Sequence, residues 1–138
     1  MLEESLRPGP GPLAPVIEAG EELLYRRAGV GPQLFRQLRR GQFRLEAECD
    51  LHGLTQVQAE RVLREFLAEA LLYGWRVVRI VHGKGHGSGQ RGPVLKRLVN
   101  ETLQRVGAVL AFASAREVDG GVGATLVLLA ERRRGGGR

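Results

Sequence analysis

The chain has 138 residues, 43% hydrophobic and 26% charged, with 21 Lys and Arg against 15 Asp and Glu for a net charge of +6. That length and balance fit one globular domain with an appendage, and no apolar run approaches the ~20 residues of a membrane-spanning helix. A single cysteine excludes an internal disulfide, and the acidic N-terminus lacks the basic and apolar regions of a secretory signal, so a cytoplasmic location is expected.

In chain order, Pro8, Pro10, Pro12 and Pro15, with Gly9 and Gly11 between them, predict an extended leader over residues 1–15. Residues 16–28 read as a short helix with Glu18, Glu21 and Glu22 near its positive N-terminal end. Gly29-Val30-Gly31-Pro32 breaks it, and Gln33 to Arg40 reads as a basic helical turn or two closed by Gly41. The expected organisation is a leader and basic helical extension over residues 1–41, a compact domain over 42–131 and a disordered basic tail over 132–138.

Within the compact domain, Phe43 to Cys49 alternates apolar and polar residues, the period of a strand with one buried face. Thr55-Gln56-Val57-Gln58 has the form of a capping box. Ala59, Val62, Leu63, Phe66, Leu67, Ala70 and Leu71 then follow at helical spacing, with Gly74 as the C-terminal cap. Val77 to Val81 is a β-branched run suited to a strand buried on both faces. Gly83 to Gly92 contains five glycines and reads as a loop. Pro93 suits the first turn of a helix whose face carries Leu95, Leu98, Val99, Thr102, Leu103 and Val106, ended by Gly107. Ala108–Ala115 and Ala124–Ala130 are two further strands, separated by a polar turn and Gly120-Gly121-Val122-Gly123.

The order β-α-β-α-β-β predicts an α/β fold, a two-layer sandwich on a four-stranded mixed sheet with right-handed crossovers between the first three strands. Parallel strands end at one edge. Asp50–Gly53 and His82–Gly92 therefore lie side by side there, and a parallel third strand brings Gly120–Gly123 to the same place.

All three histidines fall in two of these glycine-flanked segments, Asp50-Leu51-His52-Gly53 and His82-Gly83-Lys84-Gly85-His86. On a continuing strand, Asp50 and His52 at i and i+2 share a face. A carboxylate so placed can fix an imidazole tautomer, which is what a general acid or base requires. The same pair also fits a strand-end aspartate capping the next helix beside a histidine satisfied by backbone. In the second segment, glycines let backbone amides approach an anion and Lys84 adds a full charge, although no GxxxxGK[ST] loop is present. With one cysteine and neither HExxH nor CxxC, no tightly held structural metal is expected. A loosely held Mg²⁺ or Mn²⁺ engaged through Asp50 and a substrate phosphate stays open.

Charge placement points the same way. Nineteen of the 21 cations are arginine. Six arginines and no acid fall between Arg26 and Arg44, and six cations (Arg76, Arg79, Lys84, Arg91, Lys96 and Arg97) and no acid fall between Ala70 and Asn100. Such clusters suit a polyanion, since neutralising phosphates releases counterions, and they also describe a solvated basic surface.

Three motifs in this order resemble the Smr (small MutS-related) domain family: Cys49-Asp50-Leu51-His52-Gly53 for its LDLHG-type motif, His82-Gly83-Lys84-Gly85 for HGxG, and Gly120-Gly121-Val122-Gly123-Ala124-Thr125 for its late GGxGAT-type motif. The likeness covers about residues 45–131, with Cys49 standing where leucine is usual, and Leu34–Phe43 resembles the extension of stand-alone bacterial Smr proteins. It implies a sandwich similar to the C-terminal domain of bacterial translation initiation factor three. It also implies an endonuclease that nicks DNA or cleaves RNA, in some members messenger RNA on stalled ribosomes. Nucleic acid and the ribosome are thus the expected partners, with a binding module lacking turnover as the alternative. Residue reading and resemblance together name Asp50, His52, His82 and Lys84 as the catalytic group. Gly53, Gly83, Gly85, His86, Arg91, Lys96, Gly120, Gly121 and Gly123 are named as nucleic-acid contacts.

Overall fold

The structure is a computed structural model, which describes residues 17–18, 20–84 and 93–131. The expected leader, the expected tail, and Gly85, His86 and Arg91 lie outside the described residues. In chain order the elements are β1 (Leu24–Arg26), α1 (Pro32–Arg39), β2 (Ala47–Asp50), α2 (Gln56–Tyr73), β3 (Val77–Val81), α3 (Val94–Arg105), β4 (Val109–Ser114) and β5 (Ala124–Leu129). Two short 3-10 turns, Glu117–Asp119 and Gly121–Gly123, join β4 to β5.

The sheet has five strands in the order β1-β4-β5-β3-β2, one more than expected. The added strand replaces the helix expected over residues 16–28. Leu24, Tyr25 and Arg26 pair antiparallel with Ala113, Phe112 and Ala111. Leu23 extends the pairing, its amide donating to Ser114 Oγ (2.7 Å) and its carbonyl accepting from the Ser114 amide (2.8 Å). Tyr25 stacks on Phe112 with ring centroids 4.9 Å apart. This long-range pairing overrides the local acidic pattern that suggested a helix start.

β2 and β3 are parallel, and β5 is antiparallel to both β3 and β4. β2, β3 and β4 therefore run in one direction, and their C-terminal ends share an edge as expected. β2 is shorter than the alternation of Phe43–Cys49 suggested, and Phe43, before the strand, packs in the cluster around Leu38.

Burial explains the layering. Val78 and Ile80 face a core built with Leu63, Phe66 and Leu67 of α2 and Val99 and Leu103 of α3. Val77, Leu126 and Leu128 face the opposite side, where Leu38, Leu34 and Phe35 of α1 cover them. The sandwich thus gains a partial third layer from α1, and residues 17–41 share cores with the domain expected to begin at residue 42. α2 begins with the expected capping box: Thr55 Oγ1 accepts from the Gln58 amide (3.1 Å), and Gln58 Oε1 accepts from the Thr55 amide (3.0 Å). Among the described residues no helix is long and apolar enough to cross a membrane.

Candidate active site

β2 ends at Asp50, so His52 lies past the strand, in a turn, rather than on the strand face that the i, i+2 spacing presumed. The Leu51 amide donates to the Val81 carbonyl (2.7 Å) and its side chain is buried, which pins the chain between the two polar residues. Asp50 Oδ1 accepts from the His52 amide (3.1 Å) and contacts His52 Nδ1 at 2.6 Å. The His52 hydrogen bond holds the Asp50 carboxyl below its ordinary pKa. With the carboxylate accepting, Nδ1 carries the proton and Nε2 is the nitrogen left for exchange. Both side chains are more than half exposed. Thr55, not Asp50, caps the following helix.

Gly83 packs beside His52: a Cβ on Gly83 would lie 3.7 Å from the His52 Cβ. The His82 and Gly83 amides both donate to the Gly123 carbonyl (3.0 and 2.9 Å). A Cβ on Gly123 would lie 3.1 Å from Lys84 Cγ and 3.3 Å from the Gly83 carbonyl carbon. The three segments therefore converge. Gly123 takes up the His82 and Gly83 amides, so among the described residues of this loop these two are not offered to a phosphate, and Lys84 is exposed beside them.

His82, expected among the catalytic groups, is corrected by its surroundings. It is buried, with Nδ1 donating to its neighbour Gly83's carbonyl (2.9 Å) and Nε2 accepting from Thr125 Oγ1 (2.8 Å). Burial pushes its pKa down to about 4, so the ring is neutral and fully engaged. It ties the start of the loop to β5. Thr125 is the residue the sequence reading missed; it stood in the quoted Gly120–Thr125 motif, yet nothing local links it to a histidine 43 positions earlier.

Lys96, expected as a nucleic-acid contact, is also corrected. It is buried on α3 and its ammonium donates to the carbonyls of Glu18 (3.4 Å) and Glu21, tying α3 to the N-terminal segment. Burial lowers its pKa. Gly121 and Gly123 are buried as well and shape the turn from within, while Gly53 and Gly120 are exposed. Among the described residues no group of three or more His, Cys, Asp and Glu is placed to hold a metal ion.

The ground around Asp50 is electrostatically lopsided. Between β2, an edge strand among the described residues, and α2 lies an open cleft of about 580 Å³, lined by Val62, Phe66 and Leu72 and by Glu48, Glu65 and Glu69. That side repels a polyanion. On the other side stand Lys84 and the β4–β5 connection.

Fold and site define an α/β domain with an exposed Asp–His pair, a glycine loop bearing lysine and a glycine turn gathered at one sheet edge. The Smr domain family profile matches residues 49–130, and the chain belongs to that family. It is 34% identical over 116 residues to a ribosome rescue factor SmrB from Pectobacterium carotovorum, covering 84% of this chain and 61% of that protein. Over 82 residues it is 39% identical to the endonuclease MutS2 of Carboxydothermus hydrogenoformans, covering 59% of this chain and 10% of that protein. The chain thus spans only part of both relatives. Among solved structures, YdaL, a stand-alone small MutS-related protein from Escherichia coli, superposes with a TM-score of 0.74 at 28% identity, covering 83% of this chain and 88% of that one.

Proposed function

We propose that this chain is a phosphodiester endonuclease in which the reacting proton passes through His52 Nε2. The observation that carries this reading is the 2.6 Å contact between His52 Nδ1 and Asp50 Oδ1, in a pair open to solvent. Asp50 orients the ring and stabilises the imidazolium that forms when Nε2 accepts a proton. Lys84, on the neighbouring loop, supplies positive charge for the phosphoryl oxygens.

On RNA, Nε2 takes the proton of the 2′-hydroxyl as that oxygen bonds to phosphorus, and the P–O5′ bond breaks as the proton passes on to the departing 5′-oxygen, leaving a 2′,3′-cyclic phosphate and a 5′-hydroxyl. On DNA the nucleophile is water, and a divalent ion, if one were held by Asp50, would assist its activation. Likeness to a protein named ribosome rescue factor favours RNA on ribosomes as the first substrate to try, and likeness to a protein named endonuclease favours strand scission.

The test incubates the purified chain with end-labelled RNA and with supercoiled plasmid, each with and without EDTA. His52→Ala is expected to slow cleavage by at least about 100-fold, and Asp50→Ala to do nearly as much. Equal cleavage by all three proteins would sink the assignment. Retained binding with no cleavage by any of them would replace it with a binding module.

A further inference from the structure

The six arginines from Arg26 to Arg44 remain to be explained, and the structure divides them. Arg27 donates to the carbonyls of Gln104, Val106 and Val109 and so caps α3. Arg26 lies 5.7 Å over the Phe35 ring and donates to the Val30 carbonyl. Arg39 faces Glu22 at 3.9 Å. Arg36, Arg40 and Arg44 are exposed and form no ion pair among the described residues. Arg36 lies on α1 on a different side from the buried Leu38, and Arg40, four residues on, is the helix's C-terminal cap.

This stripe ends beside the candidate site. A Cβ on Gly41 would lie 2.9 Å from Arg116 Nε and 3.1 Å from Asp119 Oδ2, so the end of α1 packs on that ion pair. The Arg116 carbonyl accepts from the Gly121 amide (2.8 Å), and Gly123 holds the loop of Lys84. A line of direct contacts therefore runs from α1 through the β4–β5 turn to Lys84, Gly83 and His52. Of the carboxylates along it, Asp119 is paired with Arg116 at 2.9 Å, while Glu117 is exposed beside Gly121. Past Asp50 in the other direction lies the acidic cleft.

We infer that Arg36 and Arg40 form a phosphate track. Nucleic acid leaves the candidate site over Lys84 and the Gly120–Gly123 turn and runs along α1, an element outside the family match at residues 49–130. The inference takes its ligand class from the endonuclease reading. It assigns α1 to affinity and leaves the chemistry to Asp50 and His52. Cations in the last turn of a helix also offset its dipole, but that role changes stability and not the salt dependence of binding.

The test measures affinity for a short labelled single-stranded RNA and a labelled DNA duplex over a salt series, in the full chain carrying His52→Ala. Adding Arg36→Gln/Arg40→Gln is expected to reduce the slope of log K against log salt by about 1.5 and to weaken binding about ten-fold. Adding Arg64→Gln/Arg105→Gln, which removes the same charge elsewhere, leaves the slope unchanged. On the unaltered site, the first pair raises KM with kcat preserved. Equal effects from both pairs, an unchanged slope, or a loss of kcat at constant KM each overturn the track. A reduced slope in a chain that cleaves nothing keeps the track and removes the endonuclease; cleavage with an unchanged slope does the reverse.

Discussion

His82 gives the molecule its clearest acid sensitivity. Its ordinary pKa of 6.5 falls to about 4 in the fold, chiefly through burial and with the Lys96 charge adding in the same direction. Between those values the unfolded chain binds a proton that the folded one refuses. The stabilisation is complete above pH 6.5 and is lost as pH falls toward 4. The loss amounts to about 3 kcal/mol. Urea unfolding at pH 7.5 and pH 4.5 should show that drop in the wild type and little of it in His82→Gln; parallel losses in both would contradict the assignment. Cys49 supplies a second residue-scale expectation. Burial, then the fields of Asp50 and Glu48, push its thiol up to about 11. The folded chain should therefore react with iodoacetamide at pH 8 far more slowly than the urea-unfolded chain, and equal rates would refute a buried neutral thiol.

Elements differ in how their termini are specified. The Thr55–Gln58 capping box satisfies amides that α2 leaves orphaned, so Thr55→Ala should cost about 1 kcal/mol in urea unfolding without altering cleavage. Gly123 is constrained by neighbours: any Cβ there presses on Lys84 Cγ and on the Gly83 backbone. α2, β3 and α3 were legible in the sequence because each carries its own periodicity, and the loops at their ends inherit a position from them. β1 was not. Three residues have too few side chains to show a period, and the acids before them imitated a helix start until pairing with β4 decided the matter. The site divides along the same line. Asp50 and His52 are two residues apart, so local geometry alone joins them, whereas the hydrogen bond that holds His82 Nε2 comes from Thr125 across the β3–β5 pairing. Lys96 misled for a related reason, since a cation in an acid-free stretch looks exposed until carbonyls from residues 18 and 21 are folded over it.

At the scale of the whole molecule the sheet separates two cores, in keeping with a β3 buried on both faces. α2 and α3 cover the larger. The smaller depends on α1, whose Leu38 is fully buried against the face carrying Val77, Leu126 and Leu128. The same helix offers its arginines to solvent and rests on the Arg116–Asp119 pair at the site edge. On the proposed track, α1 couples stability to binding. Leu38→Ala removes a buried branched side chain and leaves a void under the helix, which should lower stability by about 2–5 kcal/mol. Loosening α1 also scatters the arginine stripe, so nucleic-acid affinity should fall at temperatures well below the melting midpoint. Arg36→Gln/Arg40→Gln should weaken binding while the midpoint stays within a few degrees. Thermal unfolding and binding measured side by side on the two variants check the pair. If Leu38→Ala melted like the wild type, α1 would be a surface appendage and the second core would have no energetic standing.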